Sequence, residues 1–536
     1  MNTAVPVTTK SVSSLSAEIK HGGGVAACTW MRVGVADVLM LIVLIGVLQK
    51  SQGGLLDDPG LGWHIRNIDA MWAEGGWLTT DPFSGPRAGQ PWRTNQWIGD
   101  LVLYGGWAWG GLEGIAAVTA IVLAIAFRWL YLLMVDDGVP WPLAGLWTLV
   151  AAAGTTMSWV ARPTVATLLF VMVTAAMMDR FHRGRATRRQ TLWLLPMFVI
   201  WANTHGGFVA GLVIVAATLA VESCLSLRLP HRQDVSAART RLKHLAALFA
   251  GAVVATLVNP YGWSLYGWIL SLLGDPYFMN LHTEWLSPNF HEAGAAWYEI
   301  MMLLLPLLLA LGRRKSISWV ALVLSLIWLH FALNGIRFVA LWVVVTVPLM
   351  ARLSADLLYV YWGRRQQRSE PYSAPAHGGG VAALVVCVGV LGWARLADGY
   401  SFHNSGHIPT AALQYVIERH PDQIIFHDYN WGGWLTWHGW PRVKNWIDDR
   451  NEVQGKGHVQ QYFSIVGAEP GWESALRDHN VQVACLEPNV PLARELAKHS
   501  DWAERYRDTA AVVYEKTSGR SAVIRPNRAA PPERSS

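Results

Sequence analysis

Apolar segments alternate with short polar segments along most of the chain, from Val33 to Ala397. Because a helix needs roughly 20 apolar residues to cross the hydrocarbon core of a bilayer, this repetition predicts a polytopic α-helical membrane protein with about 11 transmembrane helices. An additional interfacial helix is predicted at 98–110. The predicted transmembrane helices are 33–51, 112–134, 142–158, 164–180, 191–204, 207–226, 244–258, 298–312, 317–333, 337–353 and 380–397.

The longest polar interruption within this apolar region is the loop 52–111, which follows the first predicted span and is rich in Trp. Its polar stretch begins with DDPGLGWHIR at 57–66, so Asp57 and Asp58 stand just outside the first span. Carboxylates at a membrane surface lie where lipid-linked substrates expose their head groups. A carboxylate before a Pro-Gly turn can also cap a helix. Two adjacent carboxylates at the start of a polar insert favour the functional interpretation.

Lys and Arg cluster between predicted spans in FHRGRATRRQ (181–190), RLPHRQDVSAARTRLKH (228–244), GRRK (312–315) and GRRQQR (363–368). Cytoplasmic loops are enriched in these residues, and alternating the spans places all of these segments on the side of the N-terminus. The sequence therefore predicts a multi-pass protein of the cell inner (plasma) membrane, with a cytoplasmic N-terminal tail at 1–32 and the loop 52–111 outside. These loops also explain the net charge of +6, so no nucleic-acid partner is expected.

The pattern of apolar and polar residues changes near residue 400. Helix-like stretches such as TAALQYVIERH alternate with β-prone runs such as QIIFHD and VQVACLE, which predicts a small C-terminal extracytoplasmic α/β domain at 398–517. The transmembrane domain then covers 33–397 and includes the large outer loop. Residues 518–536 lack periodicity and are predicted to be disordered.

Polar and helix-breaking clusters fall on the predicted outer side of the membrane. They are DDPGLGWHIR, TTDPFS (79–84), WRTNQW (92–97), ARP (161–163), WANTHGGF (201–208), NPYGWSLY (259–266), TEWLSP (283–288) and NGIR (334–337). Such groups are costly in lipid, which predicts that they converge on a hydrated cavity. Local alternatives remain open: TTDPFS and NPYG are typical of turns, His205 of a packing histidine, and Arg162 and Arg337 of snorkelling anchors.

An acidic motif in a long first outer loop, many spans and a C-terminal outer domain together resemble the GT-C class of membrane glycosyltransferases. The chain is most similar to a bacterial group of polytopic membrane proteins within or near that class. The motifs that carry this resemblance are DP-x-L-x-WHI (58–65), TDPFS (80–84), WANTHGGF, NPYG, EWLSP, DYNWGGWL (428–435) and IDDR (447–450). The chain departs from the group at Gly60, where an acidic residue is common, and at Gln96, where Glu is common.

The resemblance implies a sugar donor linked to polyprenyl phosphate and an extracytoplasmic glycan, lipid or protein acceptor. In such a transfer, a carboxylate can take the proton of the attacking acceptor hydroxyl as general base. Asp58 is the first candidate for this catalytic role, and Asp57 can compensate for the acidic residue that is absent at Gly60.

The departing polyprenyl phosphate needs a positive partner. Arg337, Arg162 and Arg66 are candidates, and Mg²⁺ or Mn²⁺ held by Asp57, Asp58 and Glu284 is the alternative. The predicted substrate-binding residues are His64, Arg66, Arg162, His205, Glu284 and Arg337.

A second hypothesis from a different class is a non-catalytic translocase or assembly protein for lipid-linked polysaccharide, in which the same cavity binds a glycolipid without breaking a bond. The departures at Gly60 and Gln96 favour this alternative.

Overall fold

The computed structural model describes residues 34–50, 54–56, 58–227, 232–313, 317–361 and 408–517. The chain divides into two compact units. The helical unit comprises Met1–Asp58 and Asn95–Ser401, and the α/β unit comprises Pro59–Thr94 and Phe402–Ser536. The predicted span 380–397 and the predicted tails 1–32 and 518–536 lie outside the described residues.

In chain order the described helices are α1 (Val35–Lys50), α2 (Leu61–Glu74), α3 (Trp97–Asp136), α4 (Trp141–Gly154), α5 (Thr164–His182), α6 (Arg188–Thr191), α7 (Leu194–Ala202), α8 (Phe208–Ser226), α9 (Arg232–Thr256), α10 (Ser264–Leu273), α11 (Pro276–Leu281), α12 (Ala296–Leu311), α13 (Trp319–Asn334), α14 (Val339–Tyr361), α15 (Thr410–Arg419), α16 (Gly432–Gly439), α17 (Asn451–Val466), α18 (Trp472–Asp478) and α19 (Pro491–Leu496). The described strands are β1 (Ile424–His427), β2 (Lys444–Asn445), β3 (Val483–Leu486), β4 (Trp502–Arg507) and β5 (Val512–Lys516).

A helix occupies each predicted span from 33–51 to 337–353. Among the described residues, the segments long and apolar enough to cross a membrane are Trp97–Asp136, Thr164–His182, Phe208–Ser226 and Ile336–Val360. Helices α1, α4, α12 and α13 are apolar but shorter, and α7, with 9 residues, extends only about 14 Å. The chain is a multi-pass helical membrane protein, and the number of about 11 crossings stays a prediction.

Helix α3 joins the predicted interfacial helix and the second predicted span in one element. Its backbone leaves helical geometry at Gly110 and Gly111, where Gly111 has a φ of 64°. Glycine adopts this left-handed conformation without steric cost, so the Gly-Gly pair lets the chain bend between two helical parts. The bend coincides with the predicted boundary between 98–110 and 112–134.

The helical unit buries one apolar core and also exposes apolar side chains. Leu39, Phe127 and Val343 belong to the buried cluster, whereas Ile125 is 48% exposed and Leu303 is 74% exposed. Helices that are apolar on both their packed and their open faces are typical of proteins surrounded by lipid.

The α/β unit contains the predicted C-terminal sheet, which confirms a small α/β domain. Its strand order is β2-β1-β3-β5-β4. Strands β2, β1 and β3 are parallel, with Ile425 opposite both Asn445 and Val483, and β5 pairs antiparallel with β3 and β4. Strand β4 is half-exposed along its length, and its short run has no strong alternation that would have predicted it.

The α/β unit also includes residues 59–94, which the sequence had assigned to the loop of the transmembrane domain. Helix α2 crosses α16 at glycines: a Cβ on Gly62 would lie 1.9 Å from the carbonyl oxygen of Gly433. The amide of Gly85 donates to the carbonyl of Asn445 over 2.8 Å, beside a parallel bridge between Ser84 and Asn445 at the sheet edge. The α/β unit is therefore built from two segments that are distant in the sequence, 59–94 and the C-terminal segment.

A buried charge network connects these two segments. The Arg450 guanidinium lies 2.8 Å from Asp81 Oδ1 and 2.6 Å from Asp448 Oδ2, and all three side chains are fully buried. Burial alone would raise the pKa of Asp448, but the adjacent Arg450 holds that pKa below its usual value. Gln454 donates to Asp448 Oδ1 over 3.0 Å. The motifs TDPFS and IDDR thus meet in one buried ionic cluster.

Candidate active site

Asp58, the first candidate for catalysis, lies at the end of the first segment of the helical unit. It is 3% exposed and forms an ion pair with Arg162. The backbone brings these residues together, because the amide of Ala161 donates to the carbonyl of Leu55 over 2.8 Å. The ARP motif and the acidic motif therefore belong to the same place in the helical unit.

A second ion pair joins two 3₁₀ helices, Thr283–Trp285 and Ile336–Phe338. Arg337 Nη1 donates to Glu284 Oε1 over 3.2 Å, and the Arg337 guanidinium carbon lies 4.0 Å from the ring centre of Trp285. The amide of Ile336 also donates to the carbonyl of Leu286 over 3.0 Å. The guanidinium is thus fixed by a carboxylate and by the face of an indole ring.

The two ion pairs interact electrostatically, because the positive charges of Arg162 and Arg337 repel each other. Asp58, Arg162, Arg337 and Glu284 therefore form a charge array, in which each arginine is balanced by one carboxylate. Both arginine side chains stay about a quarter exposed, at 28% and 26%. Two partly open guanidinium groups within electrostatic range of each other are an arrangement that suits a phosphate group.

His205 adjoins this region through the backbone around Gly99. A Cβ on Gly99 would lie 2.5 Å from Pro163 Cβ and 3.1 Å from the Thr204 carbonyl oxygen, so the segments that hold Arg162 and His205 both pack on α3. His205 Nδ1 accepts from the Gly207 amide over 3.0 Å and lies 2.9 Å from Thr167 Oγ1. Its Nδ1 nitrogen is thus used in local packing, in agreement with the packing alternative for that atom.

Asp100 is a buried carboxylate that was not among the predicted site residues. It is 0% exposed and lies in the first turn of α3, directly after Gly99. Its amide donates to the carbonyl of Gln96 over 2.9 Å, so it stands one helical turn from the position where the related group often has Glu. An acidic residue at the outer end of a predicted helix was the available signal.

His64 and Arg66 belong to the α/β unit, unlike the other predicted substrate-binding residues. His64 is buried, with its ring centre 3.7 Å from that of Trp63. Arg66 Nε donates to the Trp437 carbonyl over 2.6 Å, and its Nη1 donates to Asp69 over 2.6 Å. These contacts give Arg66 a structural role in joining α2 to α16.

The predicted metal ligands are not gathered among the described residues. In that part of the chain, no three His, Cys, Asp or Glu side chains are grouped to hold a metal ion. Asp58 faces Arg162 and Glu284 faces Arg337, while Asp57 lies outside the described residues. Each of the two described carboxylates is therefore paired with an arginine, and the possible dependence on Mg²⁺ or Mn²⁺ stays a prediction.

No protein-family model matches the chain, and no curated protein sequence matches it. Several solved structures are similar to the chain. ArnT from Cupriavidus metallidurans bound to undecaprenyl phosphate is 13% identical, with a TM-score of 0.50 over 90% of this chain and 97% of that chain. The same enzyme in the apo state is 14% identical, with a TM-score of 0.51 over 91% and 98%.

The apo oligosaccharyltransferase of Archaeoglobus fulgidus is 12% identical, with a TM-score of 0.53 over 90% of this chain and 74% of that chain. ArnT and the oligosaccharyltransferase are both GT-C membrane glycosyltransferases. Likeness at these identities is a likeness of fold, and it confirms the fold that the sequence motifs implied. The chain therefore has the fold of the GT-C membrane glycosyltransferases.

Proposed function

We propose that this protein is a membrane glycosyltransferase that moves a sugar from a polyprenyl-phosphate donor to an extracytoplasmic glycan, lipid or protein acceptor. The observation that carries the proposal is the buried carboxylate of Asp58 in contact with Arg162, with Arg337 in electrostatic range. Support comes also from the GT-C fold and from the solved relative that is bound to undecaprenyl phosphate.

In this reaction the carboxylate and the two arginines have different roles. The acceptor oxygen attacks the anomeric carbon of the sugar while its proton passes to the Asp58 carboxylate. The bond between the anomeric carbon and the phosphate oxygen breaks, and its electron pair stays on the departing polyprenyl phosphate. Arg162 and Arg337 stabilise the negative charge that develops there.

The ion pair between Asp58 and Arg162 adds a step before the chemistry. In the absence of substrate, Arg162 neutralises the Asp58 carboxylate. A phosphate between Arg162 and Arg337 competes for the same guanidinium and also relieves the repulsion between the two arginines. Donor binding thereby releases Asp58 to accept a proton, so the base becomes available only when the donor is in place.

The test is transfer by purified protein in lipid nanodiscs, with polyprenyl-phosphate sugars as donors, cell-envelope extracts as acceptors and mass spectrometry of the products. Asp58→Asn keeps the shape of the side chain but removes the proton acceptor, so we expect the rate to fall about 100- to 10,000-fold. Asp234→Asn, at an exposed position of α9, is the matched control and should transfer at the wild-type rate.

The outcomes separate the two candidate functions. A wild-type rate in Asp58→Asn would exclude Asp58 as the base. Binding of the donor by wild-type protein without product for any offered acceptor would favour the non-catalytic translocase, for which the absence of a carboxylate at Gly60 and Gln96 is the supporting observation.

A further inference from the structure

A cleft between α3 and α5 lies apart from the charge array of Asp58. It has a volume of about 380 Å³ and is formed by the C-terminal parts of both helices and the segment after α5. The cleft has an apolar wall and a charged end. The apolar wall includes Trp129, Leu132, Val173 and Met177, and the charged end includes Asp136, Arg180, Arg185 and Gln190.

The charged end belongs to a larger cluster in which arginines outnumber aspartates. Arg180 pairs with Asp136, and Arg185 lies 3.1 Å from Asp137. Arg183 and Arg352 share Asp137 and Asp179 behind them. Among the described residues, these ion pairs join four arginines to three aspartates, so the paired groups carry one net positive charge that an anion can balance.

Among the described residues, a buried guanidinium with unsatisfied N–H donors lies next to the cleft. Arg352 is 9% exposed, and within the described part of the chain its Nε and Nη2 atoms have no hydrogen-bond partner. It lines a narrower cavity that shares Leu133, Ala176 and Arg180 with the cleft. A buried guanidinium with unsatisfied donors costs free energy, and an anion that approaches through the shared wall reduces this cost.

The surroundings determine what kind of anion fits. Helices α3 and α5 are both long and apolar enough to cross a membrane, so a cleft between them is open to acyl chains as well as to head groups. An apolar wall that ends in arginines matches an amphiphile with a phosphate at one end. A free phosphate would leave the apolar wall uncovered.

We infer that this cleft binds one anionic phospholipid, with its phosphate against Arg180 and Arg185 and an acyl chain along Trp129, Val173 and Met177. The site is independent of the proposed transfer reaction, since its residues belong to the opposite ends of α3 and α5 from Gly99 and Pro163. Lipid binding holds α3, α5 and the segment after α5 together.

The test is a native mass-spectrometry titration of the full chain with phosphatidylglycerol, phosphatidylcholine and inorganic phosphate. We expect phosphatidylglycerol to bind on the order of tenfold more tightly than phosphatidylcholine, the effect of about one charge-assisted contact. Arg180→Gln with Arg185→Gln should remove this preference. Arg188→Gln with Arg189→Gln removes the same charge at two α6 positions that do not line the cleft. This double variant should retain the preference for phosphatidylglycerol.

Val173→Phe tests the apolar wall without changing any charge, and it should weaken the binding of both lipids. Equal loss of preference in the two double variants would reduce the effect to general attraction and overturn the proposal. Undiminished lipid binding by Val173→Phe would do the same. Displacement of phosphatidylglycerol by inorganic phosphate alone would identify an anion site that needs no lipid, which also contradicts it. A thermal melt of each variant excludes misfolding as the cause.

Discussion

Arg450→Met should strongly destabilise the α/β unit, because one buried guanidinium serves two buried carboxylates. The substitution keeps most of the side-chain volume but leaves Asp81 and Asp448, both 0% exposed, without their cation. Removal of one partner from a buried ion pair typically costs about 3–5 kcal/mol. We expect a loss near the upper end of this range, since two carboxylates lose a partner at once.

The assay is hydrogen exchange of the full chain in nanodiscs, read at the amides of the central strands β1 and β3. A loss of about 3–5 kcal/mol accelerates exchange from the open state by about 100- to 5,000-fold. Arg505→Met is the matched control, because its partner Glu515 lies 3.5 Å away and the Arg505 side chain is 46% exposed; it should cost less than about 1 kcal/mol. Unchanged protection of β1 and β3 in Arg450→Met would refute the view that this cluster stabilises the unit.

Three further changes test other parts of the structure. Burial raises the pKa of Glu452 to about 7, so between the unfolded pKa of about 4.3 and pH 7 the folded state keeps a proton that the unfolded state loses. Stability should therefore fall by up to about 4 kcal/mol as the pH rises through this window. Glu452→Gln should flatten the dependence of the melting temperature on pH, and an unchanged slope would contradict the assignment. Gly433→Ala places a Cβ 1.7 Å from the Pro59 carbonyl oxygen, which should cost at least about 1–3 kcal/mol and expose 59–94 to protease, whereas Gly457→Ala, with open space around its Cβ, should not. Asp100→Asn removes a buried charge one helical turn from Gln96 and should slow transfer by roughly tenfold or more, and a wild-type rate at an unchanged melting temperature would exclude a role of Asp100 in transfer.

The local sequence pattern predicted the secondary-structure elements whose formation depends on residues close in sequence. Apolar periodicity located the helices, and the predicted boundary between 98–110 and 112–134 coincides with the bend of α3 at Gly110 and Gly111. The turn interpretation of TTDPFS is correct, since Asp81 accepts from the amides of Phe83 and Ser84, but it is incomplete. The same carboxylate pairs with Arg450, 369 residues away, and no periodicity can reveal such a contact.

The roles of the candidate site residues stay predictions, but the fold shows how some of these residues are paired. The acidic motif and the polar clusters on the outer side pointed to Asp58, Arg162, Glu284 and Arg337, which the fold brings into one charge array. Arg66 was also proposed to bind the phosphate; its guanidinium donates to Trp437 and Asp69 within the α/β unit, and no contact of this kind can be inferred from the local sequence.

The joint origin of the α/β unit also constrains the path of the chain through the membrane. Since 59–94 and 408–517 form one compact unit, both lie on the same side, and the number of crossings between them must be even. Ten spans are predicted between these segments, which is an even number. The basic loops predicted independently that both segments lie on the same side.

The order of synthesis gives the two-segment unit a further consequence. The ribosome produces Asp81 369 residues before Arg450, which corresponds to about 20 to 70 s at roughly 5–20 residues per second. During this interval the early segment has a carboxylate without its cation, and Phe83 and Trp92 lack the partners that bury them in the finished protein. We therefore expect the early segment to be sensitive to proteases and to aggregation until the segment that contains Arg450 has been synthesised.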